Sequence, residues 1–280
     1  MTRRRLNNAR VIITGASSGI GRALAIELSA FGCSMVLCAR REDRLSELKE
    51  ELVSALPGGE SEANRAKIQL VCGDITSDDV RQKLVETSIN SFGGLDILVN
   101  NAGVGAFGLF ENANPDRLVE ILDVNLVSSI EMTRVALPEL FKSAEQYNQN
   151  KAGCAPIISF TSSIMGKVGA PYSSEYSAAK CGLQGFTQAL RAELKSRNID
   201  VLTVSPGTTK TEFFDSVIEK TGMAKWPKHS PVSPQYVAKR IVRAMQRGTH
   251  ELVPYFWGEV LCVLNRISPA MVDRIMSRYA

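Results

Sequence analysis

Residues 11–21, Val11-Ile12-Ile13-Thr14-Gly15-Ala16-Ser17-Ser18-Gly19-Ile20-Gly21, run from a β-branched apolar stretch straight into a glycine-rich turn. Val11 to Thr14 reads as a strand, and Gly19 to Phe31 as a helix with Leu24, Leu28 and Phe31 on one face. Glycines between the two permit a tight turn. They also let backbone N–H groups approach a pyrophosphate at a helix N-terminus, where the peptide dipoles favour an anion. A plain strand-to-helix loop would use glycine as well; what points to a nucleotide is the turn's place after the first apolar strand. Gly15, Ser17, Ser18, Gly19, Ile20 and Gly21 are therefore candidate cofactor-binding residues.

Working outward, short apolar runs alternate with helical patterns. Strands are expected at Ser34 to Ala39, Ile68 to Cys72, Asp96 to Val99, Pro156 to Thr161 and Val201 to Ser205. Helices are expected from about Asp43 to Leu56, Ser77 to Phe92, Pro115 to about Ser143, and Glu175 to Arg197. Strands that are unbroken apolar runs belong to a parallel sheet covered on both faces. This rhythm predicts an α/β fold: a single-domain, Rossmann-like, doubly wound parallel sheet with helices on both faces and right-handed crossovers. The polar stretches 58–66 and 144–153 read as surface loops. One domain spans 1–280, its core covering about 8–253 and a helical C-terminal extension covering 254–280.

The second strand ends Ala39-Arg40-Arg41. A sheet that binds NAD places an acid here to accept hydrogen bonds from the ribose 2′-hydroxyl, and this chain has none. Arg40 and Arg41 instead offer fixed positive charge in a fork suited to a 2′-phosphate, so NADP(H) is the expected cofactor. The plainer reading is that the two arginines open a solvated helix.

Composition excludes several classes. Net charge is +4 with no basic stripe interleaved with aromatics, so no nucleic-acid partner is expected. Arg3, Arg4 and Arg5 read as a solvated tail. The six cysteines lack metal-ligand or CxxC spacing, which suits a reducing compartment, and with only His229 and His250 a histidine metal centre is not expected. No room for a signal-peptide stretch follows Arg5, and no apolar run is long enough to span a bilayer, so the expected location is cytoplasmic.

Downstream come Asp74-Ile75, Asn100-Asn101-Ala102-Gly103, Asn125, Ser162-Ser163, Tyr176-Ser177-Ala178-Ala179-Lys180 and Pro206-Gly207. Tyr176 and Lys180 are four apart and share one face of a helix. An ammonium beside a phenol stabilises the phenolate, lowering its pKa from about 10 toward working pH. A tyrosine so poised can give a proton to a carbonyl oxygen or take one from an alcohol.

Taken in order, TGxxxGIG, NNAG, the Ser163–Tyr176 spacing, YxxxK and PG resemble the short-chain dehydrogenase/reductase family over roughly residues 8–253. The resemblance implies an oxidoreductase moving hydride between NADP(H) and a carbonyl or alcohol, with Asn125, Ser163, Tyr176 and Lys180 as its catalytic set. It implies that Ser163 holds the substrate oxygen, that Lys180 also binds the nicotinamide ribose, and that Asn125 holds a water relaying protons toward Lys180. It further implies that Asp74 and Ile75 lie near the adenine, Asn101, Ala102 and Gly103 along the cofactor, and Pro206, Gly207, Thr209 and Thr211 near the nicotinamide. A homodimer or homotetramer is the family expectation. The rival readings are a YxxxK epimerase or dehydratase and a noncatalytic NADPH-binding sensor or scaffold.

The loops beyond the strands carry Phe107, Phe110, Val168, Pro171, Tyr172, Phe213, Phe214, Met223 and Trp226, which suggests a pocket for a ketone or aldehyde with a hydrophobic body, although core packing would use the same residues. In the extension, Trp257, Val260, Leu261, Leu264 and Ile267 recur at helical spacing, followed by Met271, Val272, Ile275 and Met276. Packing on the domain or a partner subunit, a lid over the site, and shallow membrane contact compete. Packing is expected, because Asn265, Ser268 and Asp273 interrupt the face that a membrane helix keeps dry.

Overall fold

The computed structural model describes residues 4–151, 153–214, 217–222 and 230–279. Seven parallel strands form one sheet: β1 (Arg10–Thr14), β2 (Ser34–Ala39), β3 (Ile68–Cys72), β4 (Ile97–Asn100), β5 (Ile157–Thr161), β6 (Asp200–Val204) and β7 (Glu251–Leu252), in the order β3-β2-β1-β4-β5-β6-β7. The order reverses between β1 and β4, the place where a doubly wound sheet opens a crevice at its carboxyl ends.

The helices are α1 (Gly19–Ser29), α2 (Glu42–Ala55), α3 (Glu62–Ala66), α4 (Asp78–Phe92), α5 (Pro115–Leu122), α6 (Ser128–Asn150), α7 (Ser174–Leu194), α8 (Pro234–Arg247), α9 (Phe256–Ile267) and α10 (Pro269–Met276). Alternation along each strand sends successive side chains to opposite faces. Val11 and Ile13 join a cluster with Leu24, Leu28 and α8 residues Val237, Ile241 and Met245. Ile12 and Val36 face the other way, toward Leu84, Met132 and Leu183 of α4, α6 and α7. Each such fully buried aliphatic side chain contributes roughly 1.5–3 kcal/mol.

Four expectations need correction. Arg4 is not a solvated tail: it is 8% exposed and donates to the carbonyls of Ala155 and Met245 and to the Asp200 carboxylate, tying the chain's start to the sheet's far side. The stretch 144–153 is not a loop at its start, because α6 runs to Asn150 and ends at Lys151 in the left-handed conformation. Likewise 58–66 contains the short α3, its Ser61 hydroxyl accepting from the Asn64 amide. The long helix expected from Pro115 is interrupted by a π-helical turn, Asp123–Val127, with the Ser128 N–H reaching back to the Asp123 carbonyl. In addition, α8 and β7 were not among the expected elements.

Candidate active site

The glycine turn is built by close approach. Gly15 and Gly19 have φ of +66° and +57°, the region that favours glycine. A Cβ on Gly21 would lie 2.3 Å from the Gly15 carbonyl oxygen and 2.5 Å from Asn101 Nδ2, so no side chain fits there. The turn is stapled to the end of β4. Asn101 Nδ2 donates to the Thr14 and Gly15 carbonyls at 3.1 Å each, and Thr14 Oγ1 accepts from the Asn101 and Ala102 amides at 3.0 and 3.1 Å.

A cavity of about 450 Å³ opens beyond this turn, at the carboxyl ends of the strands. It is lined by all of the expected cofactor and catalytic residues except Gly21 and Asn125, which stand behind its wall. At one end the Arg41 fork donates to Ser17 Oγ at 3.1 Å, to Ser18 Oγ at 2.9 Å and to Glu212 at 2.8 Å. The pair with Arg41 holds the Glu212 carboxyl below its ordinary range. Arg40 is the more exposed arginine, 4.0 Å from Asp74. Asp74 itself accepts from the Thr76 amide and hydroxyl, both at 2.9 Å, in a local turn. These residues fit a dinucleotide. The glycine turn leaves backbone space for a pyrophosphate, and Arg41, Ser17 and Ser18 gather charged and hydroxyl donors at the same end of the cavity.

At the other end lie the polar residues of α7 and the turn after β5. Ser163 caps a 3₁₀ turn, Ile164–Gly166, its Oγ accepting from the Met165 amide at 3.1 Å, and it hydrogen-bonds Tyr176. That turn presses on α7 so closely that a Cβ on Gly166 would lie 2.6 Å from the Lys180 carbonyl oxygen. Ser162 points elsewhere, as its position implies: it donates to the Lys180 carbonyl at 3.1 Å and accepts from Gln184. Lys180 Nζ donates to the Thr161 carbonyl at 3.0 Å and lies 5.7 Å from the centre of the Tyr176 ring. Asn125, fully buried in the π-helical turn, donates to the Val104 and Ile121 carbonyls at 2.9 and 3.0 Å and accepts from the Val104 amide at 3.3 Å.

Burial reverses the expected titration. Desolvation pushes Tyr176 up to about 12, against the opposing hydrogen bond from Ser163, and pushes Lys180 down to about 7. Burial thus outweighs the lowering that the i,i+4 spacing suggested, because both groups sit in the same dry wall.

Of the expected pocket residues, Phe107, Val168 and Phe213 line the cavity. Phe110, Pro171 and Tyr172 do not: Phe110 is 67% exposed, and the Tyr172 ring lies against Gly222. Met223 and Trp226 lie outside the described residues, as does the Phe214 side chain. Tyr255 before α9, which sequence reading did not single out, also lines the cavity, as do Leu261 on α9 and Met276 on α10 of the extension. A Cβ on Gly207 would lie 2.3 Å from the Tyr255 ring, and one on Gly258 2.5 Å. The extension is thus packed in part, with Leu261 and Met276 toward the cavity and Val272 buried, while Phe256, Trp257 and Ile267 remain 68, 73 and 76% exposed. Among the described residues no helix is long and apolar enough to cross a membrane.

A model of the short chain dehydrogenase family matches residues 9–222. The chain is 32% identical to dehydrogenase/reductase SDR family member 7B of Xenopus laevis, over 98% of this chain and 83% of that one. It is 30% identical to hydroxysteroid 11-beta-dehydrogenase 1-like protein A of Xenopus laevis, over 96% and 86%. Among solved structures, a short chain dehydrogenase/reductase from Burkholderia phymatum in complex with NAD shares the fold at TM-score 0.81 and 20% identity, covering 95% of this chain and 96% of that one. An alcohol dehydrogenase from Thermococcus sibiricus complexed with 5-hydroxy-NADP does so at 0.71 and 22%, covering 88% and 95%.

Proposed function

Because the chain belongs to the short-chain dehydrogenase/reductase family, we propose that it moves a hydride between NADP(H) and a carbonyl or alcohol, and that it reduces a ketone or aldehyde with a hydrophobic body. The observation that carries this reading is the buried Tyr176 hydroxyl, hydrogen-bonded to Ser163 and backed one turn on by Lys180.

The bound nicotinamide supplies or accepts the hydride. The chain's own residues bind, orient and move the proton. Backbone N–H groups of the glycine turn hold the pyrophosphate, and Arg41 with Ser17 and Ser18 holds the 2′-phosphate. Ser163 and Tyr176 receive the substrate oxygen. A phenol raised to about 12 is protonated at neutral pH, so Tyr176 is set to donate its proton as the oxygen becomes an alcohol. Lys180, held at the Thr161 carbonyl, steadies the phenolate left behind when it carries its own proton.

Phe107, Phe213, Val168, Leu261 and Met276 give the substrate end an apolar lining. That lining suits a bulky alicyclic ketone, and one relative is named for hydroxysteroids. The test is a panel of carbonyl compounds with NADPH oxidation followed by absorbance, in wild type and Tyr176→Phe. Turnover in the wild type and its loss in the variant are expected. A wild type that binds NADPH but turns over no carbonyl would instead make the chain a sensor.

A further inference from the structure

Arg117 lies on α5 with its side chain 1% exposed, outside the cavity, and no step above uses it. It sits between two acids. Its Nε and both oxygens' partner Nη2 meet Glu175 at 2.8–3.0 Å, a bidentate pair, while Nη1 donates to Glu219 at 2.9 Å. Glu175 is the residue before Tyr176, 5% exposed. Glu219 belongs to the segment 217–222, which runs beside the loop that follows Gly103. There the Ile218 amide donates to the Gly105 carbonyl, the Phe107 amide to the Glu219 carbonyl and the Thr221 amide to the Phe107 carbonyl, each at 2.8 Å. The Ile218 side chain packs against the cluster that holds Tyr176. One turn beyond Arg117, the Ile121 carbonyl accepts from Asn125. The packing is tight as well: a Cβ on Gly108 would lie 2.0 Å from Thr221 Oγ1 and 3.2 Å from Arg117 Nη1.

A buried guanidinium is tolerated only when its donors are met, and a planar fork meets two carboxylates at once as an ammonium cannot. We propose that Arg117 is a positioning residue, clamping the segment 217–222 and the start of α7 into one unit. Phe107, which lines the cavity and is hydrogen-bonded by this segment, and the catalytic tyrosine are then set by the same side chain. This rests on the reading of Tyr176 as the proton donor, but the clamp itself can be tested without it.

Glu219→Gln removes only the arm to the segment, is isosteric, and leaves the Arg117–Glu175 pair to keep the variant folded. Hydrogen exchange at the amides of Phe107, Ile218 and Thr221 should quicken about tenfold in it, the change expected when one charged hydrogen bond is weakened. NADPH affinity should hold, and KM for a working carbonyl should rise several-fold with kcat near wild type. Arg117→Met should quicken the same exchange and also lower kcat, and Arg117→Lys should not rescue it. Unchanged exchange and unchanged KM in Glu219→Gln would overturn the proposal. Faster exchange beside a fully active Tyr176→Phe would keep the clamp and remove the assigned acid.

Discussion

Arg41 donates to the Glu212 carboxylate at 2.8 Å while its other nitrogen reaches the hydroxyls of Ser17 and Ser18. The cation proposed to meet a 2′-phosphate therefore already holds an internal anion, and the two would have to share or exchange it. Removing the cation, by Arg41→Ala, should weaken NADPH binding by roughly 1–3 kcal/mol, one to two decades in Kd, and leave NADH nearly untouched. Glu212→Gln should tighten NADPH by up to about tenfold, because the competing charge is gone. Fluorescence titration of both cofactors checks this, and equal wild-type affinities would count against an NADP preference.

Tyr176→Phe should retain NADPH affinity and lose turnover by several decades, since it removes the transferable proton and little volume. Ser163→Ala should lose less. Because burial raises Tyr176 to about 12, its acid form is fully present at neutral pH and is lost only as pH climbs toward that value. The reductive kcat should be highest at mildly acidic pH, decline in part as Lys180 loses its proton near 7 and fall further in strong alkali, while alcohol oxidation, which needs the phenolate, should rise with pH. Rates measured in both directions across pH decide it.

Lys180 titrates near 7 in the folded chain against 10.5 for an ordinary lysine. The unfolded chain thus binds more protons between those values, so this group's penalty on folding is complete below about pH 7 and fades as pH rises to about 10.5. Lys180→Met should therefore raise the melting temperature of the cofactor-free protein more at mildly acidic pH than in alkali, and abolish turnover. A pH-independent shift would argue against the burial account.

Gly207→Ala drives a methyl into the Tyr255 ring and should cost stability and substrate affinity together. Paired with Tyr255→Ala, much of that loss should return, since the double change removes the clash. Melting curves of the four proteins measure the coupling. Strictly additive losses would mean that the ring yields freely.

The sheet, its glycine turn and the Tyr176–Lys180 pair were legible because each depends on neighbours close in sequence: a strand period, a turn, an i,i+4 pair; Ser163 entered only through the family resemblance. Helix α8 was legible too, though not drawn out, since Ser233 caps it and Val237, Ile241 and Met245 recur on one face. The two residues of β7 carry too little pattern to be found. What stayed hidden were pairings across long stretches of chain, Arg41 with Glu212, Arg117 with Glu175 and Glu219, and Tyr255 with Gly207. In sequence those charges read as solvated helix faces, and only the packed fold shows that they are spoken for.

The cavity's lining draws on the chain very unevenly in time. Its cofactor and polar ends are complete by Glu212, yet Leu261 and Met276 lie far beyond. A chain emerging from the ribosome can therefore order its nucleotide cleft before its substrate wall is complete. During that interval a nucleotide cofactor has a scaffold to bind and steady, whereas the proposed carbonyl substrate has only part of its container. A nascent chain arrested short of α9 should thus be able to gain resistance to protease from cofactor while gaining none from substrate.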